Sequence, residues 1–526
     1  MDKKYYVTTP IYYPSGKFHI GTAYTTILAD TIKRYKKQRG FETYLLTGLD
    51  EHGQKIEEKA IEASLSPKEY VDEMAKAAKE LWRKLDINYD IFMRTTNDFH
   101  VEAVQKIFSY FLKNNDVYLG KYSGKYCVSC ETYVTDSKAK EHENRCPDCG
   151  KELKDMEEEA YFFNMEKYRD RLVKYYEEHP DFVMPESRKN EIFNSFIKEG
   201  INDLSVTRTS FKWGVPVKEN EKHIIYVWLD ALTNYITALG YEPGKESKMM
   251  EKYWPADVHI VGKDIIRFHA IYWPIFLMAL DLPLPKTIFA HNWFVVENEK
   301  MSKSKGNTIF PDDLAEKYGI DALKQYLLKE IPHDKDGNFS IRSFVENYNY
   351  NLANDLGNLI SRTAGMINSY KDGVLTAEEV KEVLDKNENE VKEFKNVLNE
   401  MLENFEKEFE TFHIQKAIES IWKGIDKVNK YIDDKKPWEL NKKEDKTELN
   451  SVLYNLVEAV RLISIVIEPF MENTSNEALN ILNILDDYRH YESFKINYTG
   501  EIKANQKVEP IFKRLDIEKE IEEFNN

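Results

Sequence analysis

The sequence predicts an α/β protein, a doubly wound parallel sheet carrying an inserted segment, followed by an all-α helix bundle. Three observations lead there. Short apolar strands alternate with helical stretches at the start of the chain and again near residues 258–290, the pattern of a parallel sheet. A cysteine-bearing stretch, roughly 116–222, breaks that alternation. Beyond about residue 345 strand signals nearly vanish, and apolar residues recur at spacings of three and four, as in Leu352, Leu356, Leu359 and Ile360.

Taken in order, residues 4–8 read as a strand, Pro14-Ser15-Gly16 as a loop, and 20–38 as a helix with Gly40 at its C-terminal cap. A second strand is expected over 43–49, with a further helix starting near Gly53. The strand pattern returns at 224–229, 258–261 and 287–290. The bundle helices are expected over 345–370, 377–409, 414–433 and 449–467, and the charged stretch from about residue 503 closes the chain.

Composition bounds the function. The 526 residues allow three or four domains at roughly 150 each. A net charge of −17 excludes a uniform basic coat for sequence-blind nucleic-acid binding, so any RNA partner must meet local basic patches. The 21 glycines and 17 prolines make up about 7% of the chain against an average near 12%, which argues against low complexity. No stretch approaches the roughly 20 apolar residues of a membrane span, and Met1-Asp2-Lys3-Lys4-Tyr5-Tyr6-Val7 lacks the apolar core of a signal peptide. No membrane partner and a cytoplasmic location are expected.

All four cysteines lie between Cys127 and Cys149, as Cys127-Val-Ser-Cys130 and Cys146-Pro-Asp-Cys149. Paired Cys-x-x-Cys knuckles suit one tetrahedral ion with no open coordination position, so a single structural Zn2+ per chain is favoured over two disulfides or a redox pair. Where the first strand hands over to the first helix stands His19-Ile20-Gly21-Thr22; a helix N-terminus there favours phosphate, although a capping histidine would look the same. Lys300-Met301-Ser302-Lys303-Ser304-Lys305-Gly306 follows the last strand and reads as a cationic loop able to close on polyphosphate.

His19-Ile20-Gly21-Thr22 and Lys300-Met301-Ser302-Lys303-Ser304 resemble the two signature motifs of class I aminoacyl-tRNA synthetases. Three further stretches are similar to the methionyl-tRNA synthetase family: Tyr6-Val-Thr-Thr-Pro-Ile-Tyr-Tyr13, Thr47-Gly-Leu-Asp50-Glu-His52-Gly53 and Tyr226-Val-Trp228-Leu-Asp-Ala231-Leu-Thr-Asn-Tyr235. The resemblance runs from residue 5 to about 520. One departure is Thr22, where the family usually has a second histidine.

The resemblance implies a Rossmann-like catalytic domain (1–115 and 223–330), a connective insert (116–222) with its zinc knuckle at 127–149, a stem (331–355) and an anticodon-binding domain (356–526). It implies ATP-dependent ligation of L-methionine to tRNA(Met) through an adenylate, with Mg2+ accompanying ATP. His19, Lys300 and Lys303 would be catalytic. Gly21, Thr22, Gly262 and Asp264, with His19 and Lys303, would bind ATP. Methionine would meet Ile11, Tyr13, Asp50, Trp228, Ala231, Leu232, Tyr235, Ile265, His269 and Trp273, with Asp50 pairing the ammonium. The spacing of four between Ile265, His269 and Trp273 predicts a shared helix face. Asn358, Arg362 and Trp438 would read the anticodon, through base-edge hydrogen bonds and stacking. A monomer is expected, because the family's C-terminal dimerising domain is not apparent. The alternative is a tRNA-binding protein of the same fold without catalysis, for which Thr22 is the sole support in the sequence.

Overall fold

The structure is a computed structural model that describes residues 3–127, 132–134, 136–147, 149–296, 299–300, 308–330, 332 and 335–525. Its centre is a six-stranded parallel sheet in the spatial order Ile91–Arg94, Glu42–Leu49, Lys4–Tyr12, Val258–Gly262, Thr287–His291, Val183–Met184. We label Lys4–Tyr12 β1, Glu42–Leu49 β2 and Ile91–Arg94 β3. The chain runs outward from β1 to β2 and β3, then returns to lay Val258–Gly262 on the other side of β1. That reversal opens a crevice beyond the carboxyl ends of β1 and Val258–Gly262, the place where open α/β sheets take ligands.

The helix α1 spans Ile20–Gln38, as its spacing predicts, and Gly40 follows it with φ +78°, the left-handed backbone that glycine adopts without a Cβ penalty. The register of β1 against β2 shifts between Thr8 and Ile11, so the last turn of β1 is irregular as it enters the crevice. Gly48 of β2 lies so close to β3 that a Cβ would sit 2.1 Å from the Met93 carbonyl oxygen. Glycine is required there by close approach of the backbones.

The inserted segment builds a four-stranded antiparallel sheet around the hairpin Val117–Cys127 and Lys154–Phe163. It also returns Val183–Met184 to the edge of the parallel sheet, beside Ile288 and Phe289. The expected strand over 224–229 does not join the parallel sheet. Only Ile224–Ile225 is extended, paired antiparallel to Thr207–Arg208, and Val227–Thr237 is a helix. All but Trp228 of that helix is buried, its polar residues Asp230, Thr233, Asn234 and Thr237 included, so it lacks the solvent-facing polar stripe that marks a surface helix.

The C-terminal half is helical, with Ile341–Asn347, Asn358–Lys371, Ala377–Lys386, Glu388–Glu410, Ile414–Lys435 and Thr447–Ile467 as its main elements. Thr447–Ile467 corrects the expectation that no segment is apolar enough to span a membrane: by length and composition it is, and it is wholly buried in the bundle. Inside it, Arg461 is fully buried and bonds Glu458 at 2.7 and 2.9 Å, with backbone carbonyls of Tyr488, Ser493 and Ile496 taking its remaining donors. The final helix, Ile517–Asn525, docks back toward the sheet domain, where Glu520 accepts from the Tyr318 hydroxyl at 2.7 Å and pairs with Lys317.

Candidate active site

The first signature stretch forms the N-terminus of α1. His19 is the N-cap residue, its Nδ1 accepting the Gly21 N–H at 3.1 Å. A neutral ring with Nδ1 accepting carries its proton on Nε2, the donor a phosphoryl oxygen requires. The Ile20 N–H donates to the Ile309 carbonyl at 2.9 Å, and Lys17 pairs with Asp312 at 3.1 Å and lies over the Phe310 ring. These contacts tie the turn after β1 to the segment just past residue 307. Lys303 lies outside the described residues; Lys300 is described only as backbone, in the short strand Glu299–Lys300 beside Phe294–Val296.

On the opposite side of β1, Gly262 ends its strand and Asp264 follows in a short 3₁₀ turn. A Cβ on Gly262 would meet Asp264 Oδ1 at 2.6 Å, so a larger residue there would displace the Asp264 carboxylate. Asp264 Oδ1 accepts from Trp293 Nε1 at 3.0 Å, and Lys263 bonds both oxygens of Asp336 at 2.6 and 2.9 Å while lying over the Trp293 indole. Trp293 and Asp336 thus hold the loop after Gly262; neither stands in a motif that a linear reading isolates. Thr22 sits half-buried in the first turn of α1.

Beside these loops is an aromatic pocket. Ile11 and Tyr13 are half-buried at the end of β1, and the Asp50 N–H donates to the Tyr12 carbonyl at 3.0 Å, bringing Asp50 next to them. From Val227–Thr237 come Trp228, Ala231, Leu232 and Tyr235. Trp228 stacks on Phe268 with centroids 3.6 Å apart, and Tyr235 donates to His269 Nε2 at 2.7 Å. Ile265, His269 and Trp273 do not share a regular α-helical face, because Phe268–Tyr272 winds as a π-helix between the 3₁₀ turn and Trp273–Ala279. His269 and Trp273 still converge. The Trp273 indole donates to His259 Nε2 at 3.2 Å, and the Tyr235 ring stacks on His259 at 4.3 Å.

Sequence reasoning missed His259. It pairs beside Thr8 in the sheet, and Thr8 Oγ1 lies 2.7 Å from its Nδ1. Burial drives His259 well below the ordinary histidine range, with neighbouring His269 adding to the effect. Burial likewise lowers His269 to about 4, against smaller opposing contributions from the Ile265 carbonyl and Asp264. Both rings are neutral at neutral pH, so the pocket presents uncharged, polarisable aromatic surface suited to a thioether. Glu51 and His52 were also missed. Glu51 is fully buried, bonding Arg94 Nε at 2.6 Å and the Thr96 hydroxyl, while the Trp213 indole donates to its carbonyl at 2.6 Å. Their position directly after Asp50 was the available signal, yet each partner is remote in sequence.

Two outlying sites complete the picture. Cys127, Cys146 and Cys149 bring their sulfurs within 4.8 Å of one another, with Cys127 and Cys149 at 3.5 Å. A disulfide would be near 2.05 Å, whereas thiolates sharing one tetrahedral zinc stand about 3.8 Å apart, so the donor set fits a metal. Cys130 lies outside the described residues. In the bundle, Asn358 is exposed at the start of its helix and Arg362, one turn on, lies 3.3 Å from Asp433. Asp433 is near the end of Ile414–Lys435; Lys436 then turns the chain with φ +47° and presents Trp438, 41% exposed. Arg362 and Trp438 therefore share one end of the bundle.

Comparison with known proteins identifies the family. Residues 5–364 match the family model described as tRNA synthetases class I (M), and residues 383–522 match the anticodon binding domain of methionyl tRNA ligase. The methionine–tRNA ligase of Clostridium tetani is 49% identical over 100% of this chain and 81% of its own length; that of Enterococcus faecalis is 49% identical over 98% and 78%. Among solved structures, Mycobacterium tuberculosis methionyl-tRNA synthetase in complex with methionyl-adenylate superposes with a TM-score of 0.88 at 35% identity, covering 97% of this chain and 100% of that one. Its apo form gives 0.83 at 33%.

Proposed function

The chain belongs to the methionyl-tRNA synthetases of class I, and from that membership we propose how its residues divide the work of charging tRNA with methionine. Its activity is ATP-dependent ligation of methionine to tRNA through methionyl-adenylate. In the first step a methionine carboxylate oxygen attacks the α-phosphorus of ATP, a new P–O bond forms, and the bond to pyrophosphate breaks. The carboxylate is already ionised at neutral pH, so no general base is needed and catalysis is positioning plus charge stabilisation.

We assign the developing charge to His19, Lys300 and Lys303, and the nucleotide to Gly21, Thr22, Gly262 and Asp264. Mg2+ arrives with ATP on its phosphates. Asp50 pairs with the substrate ammonium, and Trp228, Tyr235, His269 and Trp273 enclose the thioether with Ile11, Tyr13, Ala231, Leu232 and Ile265. In the second step the terminal adenosine 2′-hydroxyl of tRNA attacks the adenylate carbonyl and AMP leaves. Asn358, Arg362 and Trp438 meet the anticodon of tRNA(Met). Zinc, held by Cys127, Cys130, Cys146 and Cys149, staples the insert over 116–222, and the anticodon domain occupies 356–526 behind a stem.

One observation carries the reading: the turn after β1, the loop after Gly262 and the aromatic pocket converge at the single point where the sheet reverses its order. The test is methionine-dependent exchange of labelled pyrophosphate into ATP, with leucine, isoleucine and homocysteine as controls. Exchange is expected with methionine and, more weakly, with homocysteine, since one methyl group is worth only about 1–3 kcal/mol of discrimination. No exchange with any amino acid, from folded and zinc-loaded protein, would overturn the assignment.

A further inference from the structure

One buried polar cluster joins the two halves of the methionine pocket. Asp230 lies between Trp228 and Ala231 and is 1% exposed. Each of its carboxylate oxygens faces an imidazole: Oδ2 is 2.7 Å from His52 Nδ1, and Oδ1 is 2.9 Å from His100 Nε2. His100, from the helix Asp98–Lys113, also places its Nδ1 2.7 Å from the hydroxyl of Thr237, the last residue of the helix that bears Asp230. His52 stands two residues past Asp50, in a stretch outside regular structure whose Gly53 N–H is held by the Trp213 carbonyl at 3.0 Å.

We propose that Asp230 is a positioning residue for methionine: through His52 it fixes the loop bearing Asp50 against the helix bearing Trp228, Ala231 and Tyr235. The claim rests on the assignment of those residues to the methionine subsite. A carboxylate that must meet an ammonium and a pocket that must meet a thioether have to keep one separation, set by the substrate. Asp50 sits at the end of a strand and Trp228 at the start of a helix, and no backbone hydrogen bond among the described residues joins residues 50–53 to 227–237. The His52–Asp230 contact supplies that tie. Hydrogen bonds from N–H donors to an ionised acceptor are short and directional, and removing the donor leaves a buried carboxylate oxygen without its partner. His100 holds the second carboxylate oxygen, so Asp230 keeps one orientation toward His52.

The test uses the full-length, metal-loaded enzyme, reading methionine Kd by equilibrium dialysis and KM values by pyrophosphate exchange. Asp230→Asn is expected to raise methionine Kd and KM by about tenfold or more, while the KM for ATP stays within about twofold. Combined with Asp50→Asn, the double variant should lose little beyond the worse single one, because both act on one contact. Equal rises in both KM values, or losses that multiply in the double variant, overturn the proposal. An Asp50→Asn variant with unchanged methionine Kd overturns the subsite assignment, and the proposal with it. If Asp230→Asn fails to fold, His52 decides. His52→Ala should weaken methionine binding about tenfold, and His52→Asn, whose amide nitrogen reaches the position of Nδ1, should restore it to within about threefold. Identical Kd values for those two variants would refute the tie.

Discussion

His269 shows what burial does to a single pocket residue. Its Nδ1 donates to the Ile265 carbonyl and its Nε2 accepts from Tyr235, so both nitrogens are satisfied in the neutral ring. In the unfolded chain it titrates near 6.5, whereas in the fold burial brings it to about 4. Between those values the unfolded state binds more protons, so stability is fully present above about pH 6.5 and falls as pH drops toward 4, by on the order of 3 kcal/mol from this residue. His259, depressed in the same direction, adds to that loss. Denaturant unfolding at pH 7 and pH 4.5 should show the decline, and His269→Gln should make it shallower; an unchanged slope would contradict the neutral, buried ring. At this scale the sequence singles out residues that stand in short contiguous motifs, as His19, Asp50 and Trp228 do. It was silent on Asp230, His100 and His259, whose roles come from partners more than 100 positions away.

Among elements, Glu388–Glu410 and Ile414–Lys435 were readable because one apolar face alternates with a polar one over many turns. Val227–Thr237 was misread because burial on every side removes that contrast. The π-helices at Phe268–Tyr272 and Tyr348–Gly357 carry no periodicity signal of their own, yet one shapes the aromatic pocket assigned to methionine and the other leads directly into Asn358. The antiparallel hairpin Val117–Cys127 and Lys154–Phe163 makes its own prediction. Its far end bears the cysteine cluster and packs only a small apolar group, Cys127, Val134, Ala139, Cys146 and Leu153. Among the described residues so small an apolar group gives the loop little core of its own, and a metal would supply the missing constraint. Purified protein should carry a single zinc per chain. Cys146→Ser should lose most of it and sharply increase proteolytic cleavage within 127–150, with methionine-dependent exchange impaired less than tRNA charging. Full resistance to protease after metal removal would refute the staple.

For the whole molecule, the sheet domain and the bundle share one core. Tyr35 on the outer face of α1 packs against Phe409 at 4.3 Å between ring centroids, and Phe289 of the sheet stacks on Phe412. Around that seam Arg39 pairs with Glu406 at 2.7 Å and Lys36 with Glu410 at 2.5 Å, while Arg34 reaches Glu472. The same helix α1 that opens at the turn we assign to phosphate is therefore clamped along its length by the domain assigned to the anticodon. A fragment ending at residue 344 would expose this apolar seam. It is expected to aggregate or to melt many degrees lower, losing most methionine-dependent exchange although every assigned pocket residue is retained. A soluble fragment with the exchange rate of the full chain would show that the seam is dispensable.

By itself the sequence determined the class of fold, the bundle, the cysteine knuckles and the chemistry, because strand–helix alternation, helical spacing and contiguous motifs are local properties that survive in one dimension. Only the tertiary structure decided which edge Val183–Met184 completes, how Trp293 and Asp336 brace the loop after Gly262, and that Asp50 is tied through His52 to Asp230. Those contacts join residues distant along the chain, and the buried polar groups involved have their properties set by what surrounds them.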